Sequence, residues 1–136
     1  MNMNERKKNT MKITSFNPLI VTNDAENVIK LFEDLGFEKR HSKTTESNNL
    51  SAASVRMRDA NGFHVDVAKL DTIPQDMTVI RMNVDDLEEA ESFLIRHGFV
   101  NTNPEKTAET ASHKSIFMVS PSGFAIDVVK HIKNHD

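Results

Sequence analysis

The groups able to do chemistry in this chain gather around two copies of one short motif. Asn61-Gly62-Phe63-His64-Val65-Asp66-Val67-Ala68-Lys69 lies over Ser122-Gly123-Phe124-Ala125-Ile126-Asp127-Val128-Val129-Lys130 at an offset of 61 residues. Gly-Phe-x-β-branched-Asp-Val-x-Lys therefore occurs twice. Asp66 and Asp127 are carboxylates able to ligate a hard cation through oxygen. His64, two residues before Asp66, shares its side of an extended strand and adds an imidazole. Arg56, Arg58 and Arg81 bring planar guanidinium forks that suit carboxylates and other anions. Three uses of this set stand open. The arginines and aspartates can pair off and serve only one another; a surplus arginine can hold an anionic or carbonyl-bearing small molecule; or Asp66, Asp127 and His64 can take a divalent metal.

Other chemistries are absent from the sequence. There is no cysteine, hence no thiolate nucleophile, zinc-thiolate site or disulfide framework, and a reducing, cytoplasmic location is the default expectation. No G-x-S-x-G elbow, P-loop or dinucleotide fingerprint is present. The 17 basic and 20 acidic residues are spread along the chain with a net charge of −3, without the basic block that a nucleic acid would attract. No stretch approaches the roughly 18 apolar residues of a membrane span, and neither a nucleic acid nor a membrane is an expected partner. Residues 1–11 are expected to form a disordered polar extension before a single domain over 12–136. Tyr and Trp are absent, which disfavours a ligand held by broad aromatic stacking.

The elements that must position these groups repeat as well. Asp24 to Phe37 lies over Asp86 to Phe99 at an offset of 62 residues. In each block an aspartate stands where a helix N-cap is wanted, and Gly36 or Gly98 stands where a left-handed residue ends the helix. Val28, Leu31, Phe32 and Leu35 in one copy, and Ala90, Phe93, Leu94 and His97 in the other, predict an apolar stripe facing a sheet. Before the helices, Ile80, Met82 and Val84 alternate with Val79, Arg81 and Asn83, and Leu19 and Val21 are read as the counterparts of Met82 and Val84. After them come a short strand at Phe37 or Phe99, polar loops at Lys43–Asn49 and Asn103–Ser112, and a hairpin. The hairpin turns at Asp59-Ala60-Asn61-Gly62 and Ser120-Pro121-Ser122-Gly123 predict a type I turn closed by a bulged glycine. In that register Arg56 opposes Asp66 and Arg58 opposes His64. The fold class expected is α+β: two βαβββ modules, about 13–69 and 77–131, forming curved mixed sheets around a cleft with helices outside.

The order of elements, the paired helix blocks ending in Gly-Phe and the paired hairpins resemble the vicinal oxygen chelate superfamily of glyoxalases, extradiol dioxygenases and bleomycin-resistance proteins. The likeness covers about residues 13–131. It implies either a divalent-metal lyase or dioxygenase, or a metal-free small-molecule binder. In metal-holding members the ligands come from the first and last strands of a module. By that resemblance the last-strand positions fall on Asp66 and Asp127, whereas the first-strand positions fall on Phe16 and Val79, which cannot coordinate. The expectation is a protein binding a small organic ligand, an anionic one among the candidates, with no cofactor expected and a divalent metal as the alternative. Arg81, Arg56, Phe16, His64, Asn83 and Phe117 are the candidate ligand-binding residues, and Asp66, Asp127 and His64 the candidate metal ligands. No catalytic residue is assigned. A homodimer is the expected assembly, and a structural or regulatory dimer without a small ligand is the third alternative.

Overall fold

A computed structural model describes residues 11–42, 54–102, 108–109 and 113–131. The expected loop at Lys43–Asn49 lies outside the described residues, as do residues 1–10 and most of Asn103–Ser112. Ile13–Thr22 extends as β1, Ala25–Leu35 forms α1, and β2 (Glu38–Ser42), β3 (Ser54–Arg58) and β4 (His64–Lys69) follow. The order recurs in β5 (Met77–Val84), α2 (Leu87–Arg96), β6 (Val100–Asn101), β8 (His113–Val119) and β9 (Ala125–His131), with a two-residue β7 (Ala108–Glu109) laid against β8. The strands join one open mixed sheet in the order β2-β3-β4-β1-β5-β9-β8-β6. Each module runs its first strand parallel to its last, β1 with β4 and β5 with β9, and the two first strands meet antiparallel. The β1/β5 seam therefore lies in the middle of the sheet, and the residues on it are central to whatever site the sheet carries.

Local chemistry explains most of the boundaries. Gly36 and Gly98 take φ of 108° and 91°, and the amides of Phe37 and Phe99 reach back to the carbonyls of Phe32 and Leu94 at 2.9 and 3.0 Å. At the hairpins, Gly62 and Gly123 also have positive φ, and Asp59 N and Ser120 N donate to Phe63 O and Phe124 O. The residue at each turn start then clasps its turn: Asp59 Oδ1 accepts from Asn61 N and Phe63 N, and Ser120 Oγ from Gly123 N and Phe124 N. Asp86 caps α2 as expected, accepting from Glu89 N at 3.1 Å. Asp24 does not cap α1 through its side chain. Its carboxylate instead accepts from the Asn27 side chain at 2.8 Å, while its own amide donates to Thr22 Oγ1.

Two apolar layers lie between helices and sheet. Under α2, Ala90 and Leu94 meet Met82, Val84, Ile116, Met118, Ile126 and Val128. Under α1, Met57, Val65 and Val67 meet Ala25, Val28, Ile29 and Phe32. The α1 stripe is thus rotated from the expected one: Leu31 and Leu35 are exposed, and Ala25 and Ile29 take the inner positions. A third apolar cluster, Leu19, Val21, Ala68 and Val79, lies on the face without helices, joined by Leu70 and Ile73 of the inter-module link and by Phe117 and Ala125.

That third cluster corrects the expected facing of β1. Leu19 and Val21 do not share the side of Met82 and Val84; Ile20 does, packing with Met57, Val65 and Val67. Asn17 opposes Arg81 and Leu19 opposes Val79 across the seam, and Leu19 pairs with Asp66 in β4 as Arg81 pairs with Asp127 in β9, so exchanging the modules carries Leu19 onto Arg81 and Asn17 onto Val79, both 62 residues apart. The first strands keep the offset of the helices, and Asn17 stands where Phe16 was expected. Phe16 opposes Met82 on the helix side and is 59 % exposed. A slip of one residue turns every side chain of a strand to the other face. Leu19-Ile20-Val21 is apolar on both faces because that stretch of β1 is covered on both, so period-two reasoning has no contrast to read there.

Candidate functional site

The hairpin register brings Arg56 opposite Asp66 and Arg58 opposite His64, and the seam brings Arg81 beside both Asn17 and Asp127. One row of polar side chains consequently crosses five strands on the helix-free face: Arg56 on β3, Asp66 on β4, Asn17 on β1, Arg81 on β5 and Asp127 on β9. Arg56 grips Asp66 with both arms of its fork, Nε to Oδ1 at 2.9 Å and Nη2 to Oδ2 at 3.1 Å, and Nη2 also donates to Asn17 Oδ1 at 3.0 Å. Arg81 Nη1 reaches across β1 to Asp66 Oδ2 at 2.9 Å and to Ser54 Oγ at 3.0 Å. Its Nε donates to Asp127 Oδ2 at 3.1 Å. Asp66, Asp127 and Arg81 are only 1 %, 2 % and 6 % exposed, so these bonds act in a weakly screened setting. Two positive and two negative groups leave the row formally neutral.

The row has a polar flank along the seam. Ser15 opposes Asn83, one step along from Asn17 and Arg81. Ser15 Oγ, Asn83 Oδ1 and Arg81 Nη2 are buried atoms without a hydrogen-bond partner among the described residues. Arg81 Nη2 lies 3.1 Å from Asp127 Oδ2, but the direction suits only Nε, so proximity supplies attraction there without a well-formed hydrogen bond. The other flank, through Leu19 and Val79, is the apolar cluster that includes Phe117.

Electrostatics differ between the two titrating groups at the margins of the row. Burial raises the Asp127 carboxyl above its ordinary value, against the pull of the Arg81 guanidinium and its hydrogen bond. His64 is held below its ordinary value by partial burial and by the positive charges of Arg56 and Arg58, only partly offset by Asp66.

Of the residues picked out in the sequence, Arg81, Arg56, His64, Asn83, Phe117, Asp66 and Asp127 share the helix-free face, and Phe16 lies on the other. Sequence reasoning missed Asn17, Ser15 and Ser54. The helix offset of 62, carried back onto the first strand, points to Asn17; no comparable signal marks the two serines.

The side chains as arranged do not fit a divalent ion. Three of the four carboxylate oxygens of Asp66 and Asp127 already accept from arginine, and His64 sits in a field that opposes added positive charge. Among the described residues no group of three or more His, Cys, Asp or Glu side chains converges as a metal cage.

The chain has the vicinal oxygen chelate fold, the architecture of glyoxalase-type proteins. Methylmalonyl-CoA epimerase from Mycobacterium tuberculosis superposes with a TM-score of 0.64 at 14 % identity, over 93 % of each chain. A glyoxalase/bleomycin resistance protein/dioxygenase superfamily member from Vibrio splendidus 12B01 gives 0.53 at 15 % identity, over 89 % of this chain and 100 % of that one. The Mn(II)-bound glyoxalase from Novosphingobium aromaticivorans gives 0.54 at 13 % identity, over 93 % of this chain and 43 % of that one. In sequence, no family model and no curated protein matches. Among the described residues, no helix is long and apolar enough to cross a membrane.

Proposed function

We propose that the protein holds a small organic molecule on the helix-free face, gripped by hydrogen bonds along the β1/β5 seam and without a resident divalent ion. The observation that carries this reading is the group of buried polar atoms on one strand pair: Asn83 Oδ1 and Ser15 Oγ, which no described group bonds, and Arg81 Nη2, which has only an ill-directed contact with Asp127 Oδ2. A buried group left unpaired costs about 1–3 kcal/mol, and folded chains rarely tolerate such groups side by side unless a partner comes from outside. Arg81 Nη2 donates, Asn83 Oδ1 accepts and Ser15 Oγ does either, so the matching ligand group presents an oxygen acceptor next to an N–H or O–H donor. Because the row is neutral, a carbonyl compound fits as well as a carboxylate. Arg81 is the principal anchor; Arg56 spends Nε and Nη2 on Asp66 and Asn17 and holds the row in place.

Asn83→Leu separates this reading from a purely structural one. Filling the site with an apolar side chain of similar size removes an unpaired acceptor, so the variant is expected to be as stable as the parent or about 1 kcal/mol more stable. At the same time it loses the thermal shift that hydroxy-acid, keto-acid or amide metabolites induce in the parent. A destabilised variant whose ligand response is unchanged would sink the proposal. Self-association is a second reading, favoured by Ile13 and Phe16, which stand 51 % and 59 % exposed on β1.

A further inference from the structure

We infer that the Arg81 guanidinium is a built-in cation standing where a divalent ion would bridge Asp66 and Asp127, so that this side chain, beside Arg56 on Asp66, holds that position against a metal. Independently of which molecule the face binds, the geometry carries the inference. Arg81 Nη1 lies 2.9 Å from Asp66 Oδ2 and Nε lies 3.1 Å from Asp127 Oδ2, which puts one delocalised positive charge between two carboxylates that come from equivalent places in the two modules. The position is asymmetric: Leu19, which pairs with Asp66 as Arg81 pairs with Asp127, carries no charge, so the Arg81 guanidinium reaches both aspartates. Ser54 Oγ completes a set of three oxygens around the guanidinium. All three are hard donors, so the ions excluded are those that prefer oxygen, such as Mn²⁺, Mg²⁺ and Ca²⁺.

Arg81→Ala removes the cation and leaves space, two buried carboxylates and Arg56 as the only remaining positive group of the row. Like charges confined at low exposure favour the capture of a cation. The test uses the full chain with any affinity tag removed, stripped with EDTA and dialysed, and follows both Mn²⁺ uptake by electron paramagnetic resonance and the thermal midpoint. The parent is expected to take up no Mn²⁺ and to keep its Tm. Arg81→Ala is expected to melt lower in EDTA and to rise by roughly 5–10 °C once Mn²⁺ exceeds its Kd about 100-fold. That rise is expected to disappear when Asp127→Asn is added. If Arg81→Ala does not fold in EDTA, recovery of its far-UV circular dichroism on adding Mn²⁺ supports the inference, and failure to recover overturns it. Arg81→Met, which removes the charge but keeps the bulk, supplies a folded control expected to bind less Mn²⁺ than Arg81→Ala. Stoichiometric Mn²⁺ in the parent, lost in Asp66→Asn, overturns the inference, as does a folded Arg81→Ala that ignores the ion.

Discussion

Replacing Asp66 by asparagine tests whether the polar row supports the sheet. The carboxylate is 1 % exposed and accepts three hydrogen bonds, two from Arg56 and one from Arg81. Hydrogen bonds to charged groups are worth about 1.5–3 kcal/mol each, but their simple sum overstates the loss. The Arg56 side chain is 27 % exposed and can turn toward water, and Arg81 keeps Asp127. The relevant figure is that for breaking a buried pair from one side, about 3–5 kcal/mol, and these two outlets place Asp66→Asn near about 3 kcal/mol. For a domain of this size that corresponds to a fall in Tm of roughly 10 °C. Urea unfolding followed by far-UV circular dichroism measures it, the chain having neither Trp nor Tyr to report by fluorescence. Arg56→Ala should then cost less in the Asp66→Asn background than in the parent, by a coupling of about 1–2 kcal/mol. A loss below about 1 kcal/mol for Asp66→Asn, or additive effects in the pair, would show that the row is solvated and not a support.

Two further outcomes follow from the same structure. Since burial raises the folded-state value of Asp127, its protonated form is the one the fold prefers: the stabilisation is fully present below the unfolded carboxyl's value and is lost as pH rises through the higher folded value. Asp127→Asn should therefore compare better with the parent at pH 7 than near pH 4 in urea titrations; a difference that is flat with pH, or runs the other way, refutes the assignment. If Ile13 and Phe16 form a self-association surface, sedimentation velocity should show a dimer that Phe16→Glu converts to monomer, and a parent that stays monomeric at every concentration removes that reading.

The repeated blocks made the modules legible before any coordinates. Gly36, Gly98, Gly62 and Gly123 sit where backbone with positive φ is required, and only a few residue types tolerate it, so the glycines mark helix ends and hairpins locally. Hairpin register was legible for the same reason: the turn type determines which residues face one another, and Arg56 opposite Asp66 follows from Asp59 to Gly62 alone. Alternation in β5 also read correctly, because Ile80, Met82 and Val84 contrast with Arg81 and Asn83.

What lay beyond the sequence was everything decided across the seam. Leu19-Ile20-Val21 is apolar on both faces, so alternation could not tell Asn17 from Phe16; the helix offset of 62 pointed to Asn17, and the strand pairings put it in the row. The α1 stripe was legible as helical but not in its rotation, since Leu31 and Leu35 match the period as well as Ala25 and Ile29 do and only the sheet beneath selects among them. Types and spacing alone identified Asp66 and Asp127 as paired carboxylates. Their occupation by a guanidinium arises from strands 15 and 46 residues apart in sequence brought within 3.1 Å, a non-local contact that no periodicity encodes.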